Sequence, residues 1–316
     1  MMRTINQPYM FKWLVGCLLG FGLLLLGSCC EECKHRNDGL AVYPTWSDVT
    51  DKDIEVKDAK LWIYDAETGS LVEQKQYGGT DELAGQRFVL DEGNYLVLTT
   101  VNMTEPFTLG ETTRVSFWGN ISTRASSDWR TIKIGLTNPT DVKNNAYFGV
   151  TEVKIDNKGD NQVVNSPMKS MLAELTIIIE GVPRGSEMMG RAYDCALCLF
   201  PLQKNGDGDY GLPSLEPQEV ELPTMIATES TLQSEIIRLM PTRYGGKASY
   251  IKLHLLLPNE TVQEFEITAP VMKSGGKYEM RLKYEEMQPY MWLYPVTIND
   301  WTEGWVYKGE ILSPEP

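Results

Sequence analysis

Asp91-Glu92-Gly93-Asn94-Tyr95-Leu96-Val97-Leu98-Thr99-Thr100-Val101 reads as a turn feeding a strand. The acidic pair, glycine and asparagine supply the turn, since glycine and asparagine accept backbone conformations that other residues resist. The run after it is apolar and β-branched, too short for an ordinary helix. It is apolar at odd and even positions alike, which suits burial on both faces. A chain organised on such strands is all-β.

Upstream, Ala59-Lys60-Leu61-Trp62-Ile63-Tyr64-Asp65 alternates in the manner of a half-buried strand. Asp65-Ala66-Glu67-Thr68-Gly69-Ser70 is turn chemistry, and Leu71 to Lys75 returns, so the three stretches predict a hairpin. Strands are also expected at Leu40–Trp46, Gln86–Leu90, Thr131–Leu136, Tyr147–Val150 and Glu152–Ile155. Nothing in this half keeps helix periodicity for long.

Beyond about Asn165 the pattern begins again. Met168 to Gly181 starts with spacing that could be helical and turns into a β-run stopped by Gly181, Pro183 and Gly185. Ala192–Pro201 reads as one strand, followed by Ser249–Leu257, Glu264–Ile267 and the alternating Lys277–Tyr284. The chain closes with Tyr294–Ile298 and Trp301–Ile311. Ser274-Gly275-Gly276 ahead of Lys277 echoes the glycine turn ahead of Tyr95, which is consistent with two similar sandwiches in tandem.

The N-terminus is of a different kind. Arg3 and Lys12 precede an apolar run from Trp13 to Gly27, which is short against the ~20 residues that span a bilayer. Leu26-Gly27-Ser28-Cys29 ends it with small residues, the pattern of a bacterial lipoprotein signal. Cleavage after Ser28 and lipidation of Cys29 are expected. The competing reading, an uncleaved anchor helix, lacks the basic residues of a stop-transfer signal, and Glu31 and Glu32 stand in their place. A diacyl or triacyl group holds a protein stably where one chain does not. Cys29-Cys30-Glu31-Glu32 resembles the acidic export tag of Bacteroidota lipoproteins carried to the outer face of the outer membrane. The expected division is thus a signal peptide over 1–28, a tether over 29–39, and β-sandwiches over 40–164 and 165–316.

The formal charge of the 316-residue chain is −14, and loss of Arg3 and Lys12 makes the mature chain more acidic still. Such a charge argues against nucleic acid and against an anionic bilayer as partner. Cys17 leaves with the signal, so Cys30, Cys33, Cys195 and Cys198 remain in an oxidising compartment. Two CxxC pairs invite zinc. The first lies in the tether, however, and the second in an apolar strand, where positions three apart face opposite ways. Buried free thiols or a disulfide are the other readings for Cys195 and Cys198.

No catalytic residue, cofactor or metal is predicted. Of the two histidines, His35 is in the tether and His254 in a strand, and there is no nucleophile elbow, phosphate loop or dinucleotide fingerprint. Asn205, Asp207 and Asp209 with Glu216 have calcium-loop spacing, but Tyr210 replaces the glycine such a loop needs, so an acidic hairpin loop is expected. Tyr290, Trp292, Tyr294, Trp301, Trp305 and Tyr307 read as sandwich packing, with a glycan-stacking platform as the alternative.

Together the lipobox, the acidic tag, Leu61–Asp65 with its Gly69 turn, the Gly93 and Gly276 turns, Met168–Gly181 and the terminal Val296-Thr297-Ile298-Asn299-Asp300-Trp301 resemble the fimbrillin-related lipoproteins of Bacteroidota, near the anchor branch. That resemblance implies two transthyretin-like β-sandwiches and a place in surface fimbriae whose subunits join by exchanging edge strands. The implied function is fimbrial anchor or accessory subunit. Its partners would be fimbrial subunit proteins, the outer membrane through the lipid, and host glycans or proteins. Stalk subunits of the family are cut after a basic residue in the first domain; here Arg36 is close to the lipid, and Arg114 and Arg124 lack a distinctive context. The rival class is a surface glycan-binding lipoprotein of a nutrient-uptake system.

Overall fold

The computed structural model describes residues 38–46, 55–112, 123–124, 128–140, 142–287, 292–293 and 305–306. The first half runs β1 (Leu40–Trp46), β2 (Ala59–Asp65), β3 (Leu71–Tyr77), a short helix α1 (Thr80–Ala84), β4 (Gly93–Val101), β5 (Phe107–Thr112), β6 (Thr123–Arg124), β7 (Lys133–Leu136), β8 (Tyr147–Ile155) and β9 (Gln162–Ser170). The second runs β10 (Ala173–Glu180), β11 (Glu187–Ala196), β12 (Cys198–Lys204), β13 (Tyr210–Pro213), β14 (Pro217–Ile226), β15 (Thr231–Gln233), β16 (Ile237–Leu239), β17 (Ser249–Leu256), β18 (Val262–Ala269), β19 (Lys277–Lys283), β20 (Trp292–Leu293) and β21 (Trp305–Val306). The protein is all-β, with several sheets in sandwich arrangement.

Sheet I has the order β1-β9-β8-β4-β2-β3, with β1 parallel to β9. Its centre, β4, pairs antiparallel with β2 and β8 along its whole length. The expected hairpin forms between β2 and β3; Asp65 Oδ1 accepts the amides of Glu67 and Thr68 at 3.0 and 2.7 Å, and Gly69 closes the turn at φ 86°. The alternation sorts the side chains. Leu61, Ile63, Val97, Val101 and Ile155 point into one core with Leu40, Leu83 and Phe88, while Trp62, Tyr64, Leu96, Leu98 and Phe148 point into another. Burial of β4 on both faces follows from this, and Val97 and Leu98 are both fully buried.

Sheet II, in the order β13-β12-β7-β5-β6, covers that second face. It draws strands from both halves of the chain: Leu199 of β12 pairs with Ile134 of β7. Lys204 and Tyr210 tie it down by donating to Glu152 Oε1 of β8 at 2.7 and 2.6 Å, and Lys169 of β9 donates to the Tyr210 carbonyl. Sheet III is β14-β11-β17-β18-β20, and sheet IV is β15-β10-β19-β21 with β16 also on β10. These two enclose the core of the second half, which includes Ile177, Met280, Ile251, Leu253 and Phe265.

Several expectations change. Ala192–Pro201 is not one strand: the ladder of β11 ends at Ala196, Leu197 donates to the Glu216 carbonyl at 3.0 Å, and β12 belongs to a different sheet. Gln86–Leu90 makes only a two-bond bridge between Phe88 and Leu40, at 2.9 and 3.0 Å. Met168–Ser170 is strand, not helix, and the position 164/165 falls inside β9. The echo between Tyr95 and Lys277 joins strands of different place, since β4 has antiparallel neighbours and β19 parallel ones. The order β3-β2-β4-β8 is instead repeated by β14-β11-β17-β18, and the parallel pair β1/β9 by β10/β19.

Candidate functional site

A sheet edge presents unpaired backbone donors and acceptors, so edges are where another chain can add. In the first half the gap between the two edges of sheet I is closed. Helix α1 packs against β1 and β3 with Leu83 fully buried, and the Phe88 bridge occupies β1 at Leu40. Edge strand β3 is polar, with Lys75 and Glu73 paired at 2.7 Å, a composition that discourages pairing.

Among the described residues no element closes the corresponding gap in the second half. Here β14, the edge of sheet III, faces β15 and β16, the edge of sheet IV. Between them lies a groove of about 270 Å³ whose apolar lining includes Val220, Met225, Ile226, Ile236 and Leu239, with Val142 from the first half at one end. Ile226 is 60% exposed and Ile236 46%. The walls are built from local chemistry. Pro223 and Thr224 fall at a register shift, where Leu222 opposes Gly190 and Met225 opposes Met188; proline, lacking an N–H, fits only an edge or a bulge. Ser234 interrupts the other wall: its Oγ accepts the Ile177 amide at 2.9 Å and its own amide donates to the Ile177 carbonyl at 2.9 Å. Arg238 clamps the end, donating to the Lys143 carbonyl at 2.7 Å and facing Glu174 at 3.3 Å.

Little in the sequence marks these walls. Glu219-Val220-Glu221-Leu222 does alternate, but Pro217 and Pro223 bracket it, and β15 and β16 are three residues each, below the length at which periodicity registers.

The residues singled out in the sequence scatter. Ser28, Cys29, Cys30, Cys33, His35, Arg36, Arg114, Tyr290, Tyr294, Trp301 and Tyr307 lie outside the described residues. Trp292 and Trp305 fall in β20 and β21, in register with Glu266 and Met280. Arg124 is in β6, paired with Glu111. Cys195 and Cys198 are free thiols on strands of two different sheets, and burial raises the Cys195 thiol to about 12. His254 Nδ1 sits 3.3 Å from Glu264 across the β17–β18 ladder, the strand role expected of it. In the acidic loop, Asn205 Oδ1 accepts the amides of Asp207 and Asp209, and Asp207 pairs with Lys273 at 3.1 Å. Glu216 instead uses its carbonyl to accept from Leu197 and Ser214.

The fold and the groove define a tandem β-sandwich protein with one closed and one open seam. The chain belongs to the family of fimbrillin-A associated anchor proteins Mfa1 and Mfa2, whose family model matches residues 34–307. Among solved structures it is similar to the fimbrial anchor protein Mfa2 of Porphyromonas gingivalis, at 12% identity over 72% of this chain and 81% of that one, with a TM-score of 0.44. It is also similar to candidate adhesins of Bacteroides ovatus (10% identity, 91% and 99% covered, TM-score 0.49) and Bacteroides thetaiotaomicron (14%, 72% and 78%, TM-score 0.47). No curated protein matches the chain. Family membership places it among fimbrial proteins of the cell surface, whose partners are other fimbrial subunits. Among the described residues no helix is long and apolar enough to cross a membrane.

Proposed function

We propose that this protein is a lipid-held fimbrial anchor or accessory subunit, and that it joins another subunit by taking an edge strand of that subunit into the open seam between β14 and β15–β16. The observation that carries this reading is the seam itself: two facing sheet edges with exposed Ile226 and Ile236, in a member of a fimbrial anchor family. An added strand would find backbone partners along either edge and apolar seats for alternate side chains. The lipobox supplies the other end, with cleavage after Ser28, acylation of Cys29, and residues 29–39 as the tether that carries the two sandwiches to the outer face of the outer membrane.

Two substitutions in cells that make the fibre test the two ends separately. Cys29→Ala is expected to release fibres and the anchor together into the medium, as seen by blotting cells and supernatant. Ile226→Asp with Ile236→Asp is expected to leave a folded chain on the cell that no longer co-purifies with fimbrial subunits. Fibres that stay attached in the second variant sink the strand-addition site, and a cell-bound Cys29→Ala chain sinks the lipid anchor.

A further inference from the structure

The outer face of β11, β17 and β18 is the counterpart of the face that sheet II covers in the first half, and among the described residues no sheet lies over it. At one point it is hollowed. Ala192 opposes Val220 and Cys195 opposes Gln218, so Tyr193 and Asp194 together stand against Glu219 alone, a β-bulge. Asp194 takes a left-handed backbone at φ 59°, and Arg243 Nε holds its carboxylate at 2.9 Å. The bulge opens a concavity of about 380 Å³ lined by Tyr193, Tyr250, Gln218, Glu219, Lys252 and Glu266, with Asp194 beside them.

The chemistry of the lining selects its ligand. Two half-buried tyrosines from adjacent strands share one hollow, and Lys252 is held in place, 5.2 Å from the Tyr193 ring centroid and 3.3 Å from the Glu266 carboxylate. Among the described residues the Gln218 side-chain nitrogen is shielded from solvent and has no hydrogen-bond partner. Carboxylates accept from hydroxyls, and tyrosine rings stack on the C–H faces of sugar rings. Each carboxylate around the hollow already has its cation, Asp194 with Arg243, Glu219 with Arg191 and Glu266 with Lys252, so no cation of the lining is left over for an acidic ligand.

We infer that this concavity binds an uncharged carbohydrate. Glycan recognition would then sit on sheet III, on residues other than the groove that takes the partner strand, and it does not depend on the strand-addition reading.

The test is affinity electrophoresis and calorimetry of the full chain in detergent. The probes are neutral glycans (maltoheptaose, laminarihexaose, yeast mannan and desialylated mucin glycans) and two anionic ones (polygalacturonate and sialyllactose). At least one neutral probe is expected to bind and neither anionic probe is. Tyr193→Ala and Tyr250→Ala should each weaken that binding by about three- to tenfold, while Tyr244→Ala, an exposed tyrosine away from the hollow, leaves it unchanged. Thermal melting of each variant separates lost binding from lost folding. Ile226→Asp with Ile236→Asp should bind the glycan normally, which distinguishes this site from the groove. The inference is overturned if no neutral probe binds, if an anionic probe binds more tightly, or if folded Tyr193→Ala and Tyr250→Ala variants bind as the parent does.

Discussion

The two halves repeat one strand order and finish it differently. In the first, β8 and β9 stay paired at Tyr147/Ser170 and Phe148/Lys169, so the sheet curls through to β1 without a break. In the second, β18 and β19 part, and each takes a short strand from the C-terminal end instead, β20 and β21. The connection after β3 seals its seam with α1 and the Phe88 bridge; the one after β14 lays β15 and β16 along β10 and leaves a groove. Among the described residues, the face covered by sheet II in one half has no sheet over it in the other. Repetition of a fold therefore sets where surfaces are, while the connections decide which of them remain free to bind.

The largest expected difference between the halves is at that face. Phe148, fully buried beneath sheet II, should cost about 3–5 kcal/mol on change to alanine. Tyr250, half-buried on the uncovered counterpart, should cost no more than about 1.5 kcal/mol. Urea titrations giving equal losses would mean that the second face is covered after all.

A smaller effect is expected where β8 meets β9. A Cβ at Gly149 would lie 2.5 Å from Ser166 Oγ and 2.8 Å from the Pro167 carbonyl, so Gly149→Ala must push the strands apart at about 1–3 kcal/mol. Hydrogen exchange should then show β9 amides losing protection before those of β4.

The smallest concerns the tie between sheets I and II. Hydrogen bonds from Lys204 and Tyr210 hold the Glu152 carboxyl below the usual carboxylate range. Its folded value is therefore lower than its unfolded one, so the stabilisation is present above the ordinary carboxylate pKa and is lost as pH falls through the lowered folded value. Glu152 is exposed, and screening limits the contribution to about 0.5 kcal/mol or less. The stability difference between parent and Glu152→Gln should shrink toward zero as pH is lowered below about 4. A difference that holds constant into acid would assign the tie to packing.

Much of the architecture was legible in local patterns. Ala59–Asp65, the Asp65–Ser70 turn and Tyr95–Val101 coincide with β2, its turn and nearly all of β4, because alternation, turn residues and short apolar runs act over a few residues. The N-terminal lipobox and acidic tag are likewise read in the chain alone, and they frame the proposed address of the protein. What the residues could not announce is which strand meets which. Leu199 finds Ile134, and the groove and the hollow are assembled from strands tens of residues apart. Nothing around Leu197 marks the passage from one sheet to another, since the apolar run continues through it. Class and turns were determined by sequence because they are short-range preferences of the backbone. The seam, the covered face and the bare one were decided by tertiary structure, because each is a relation between strand edges that only long-range packing brings together.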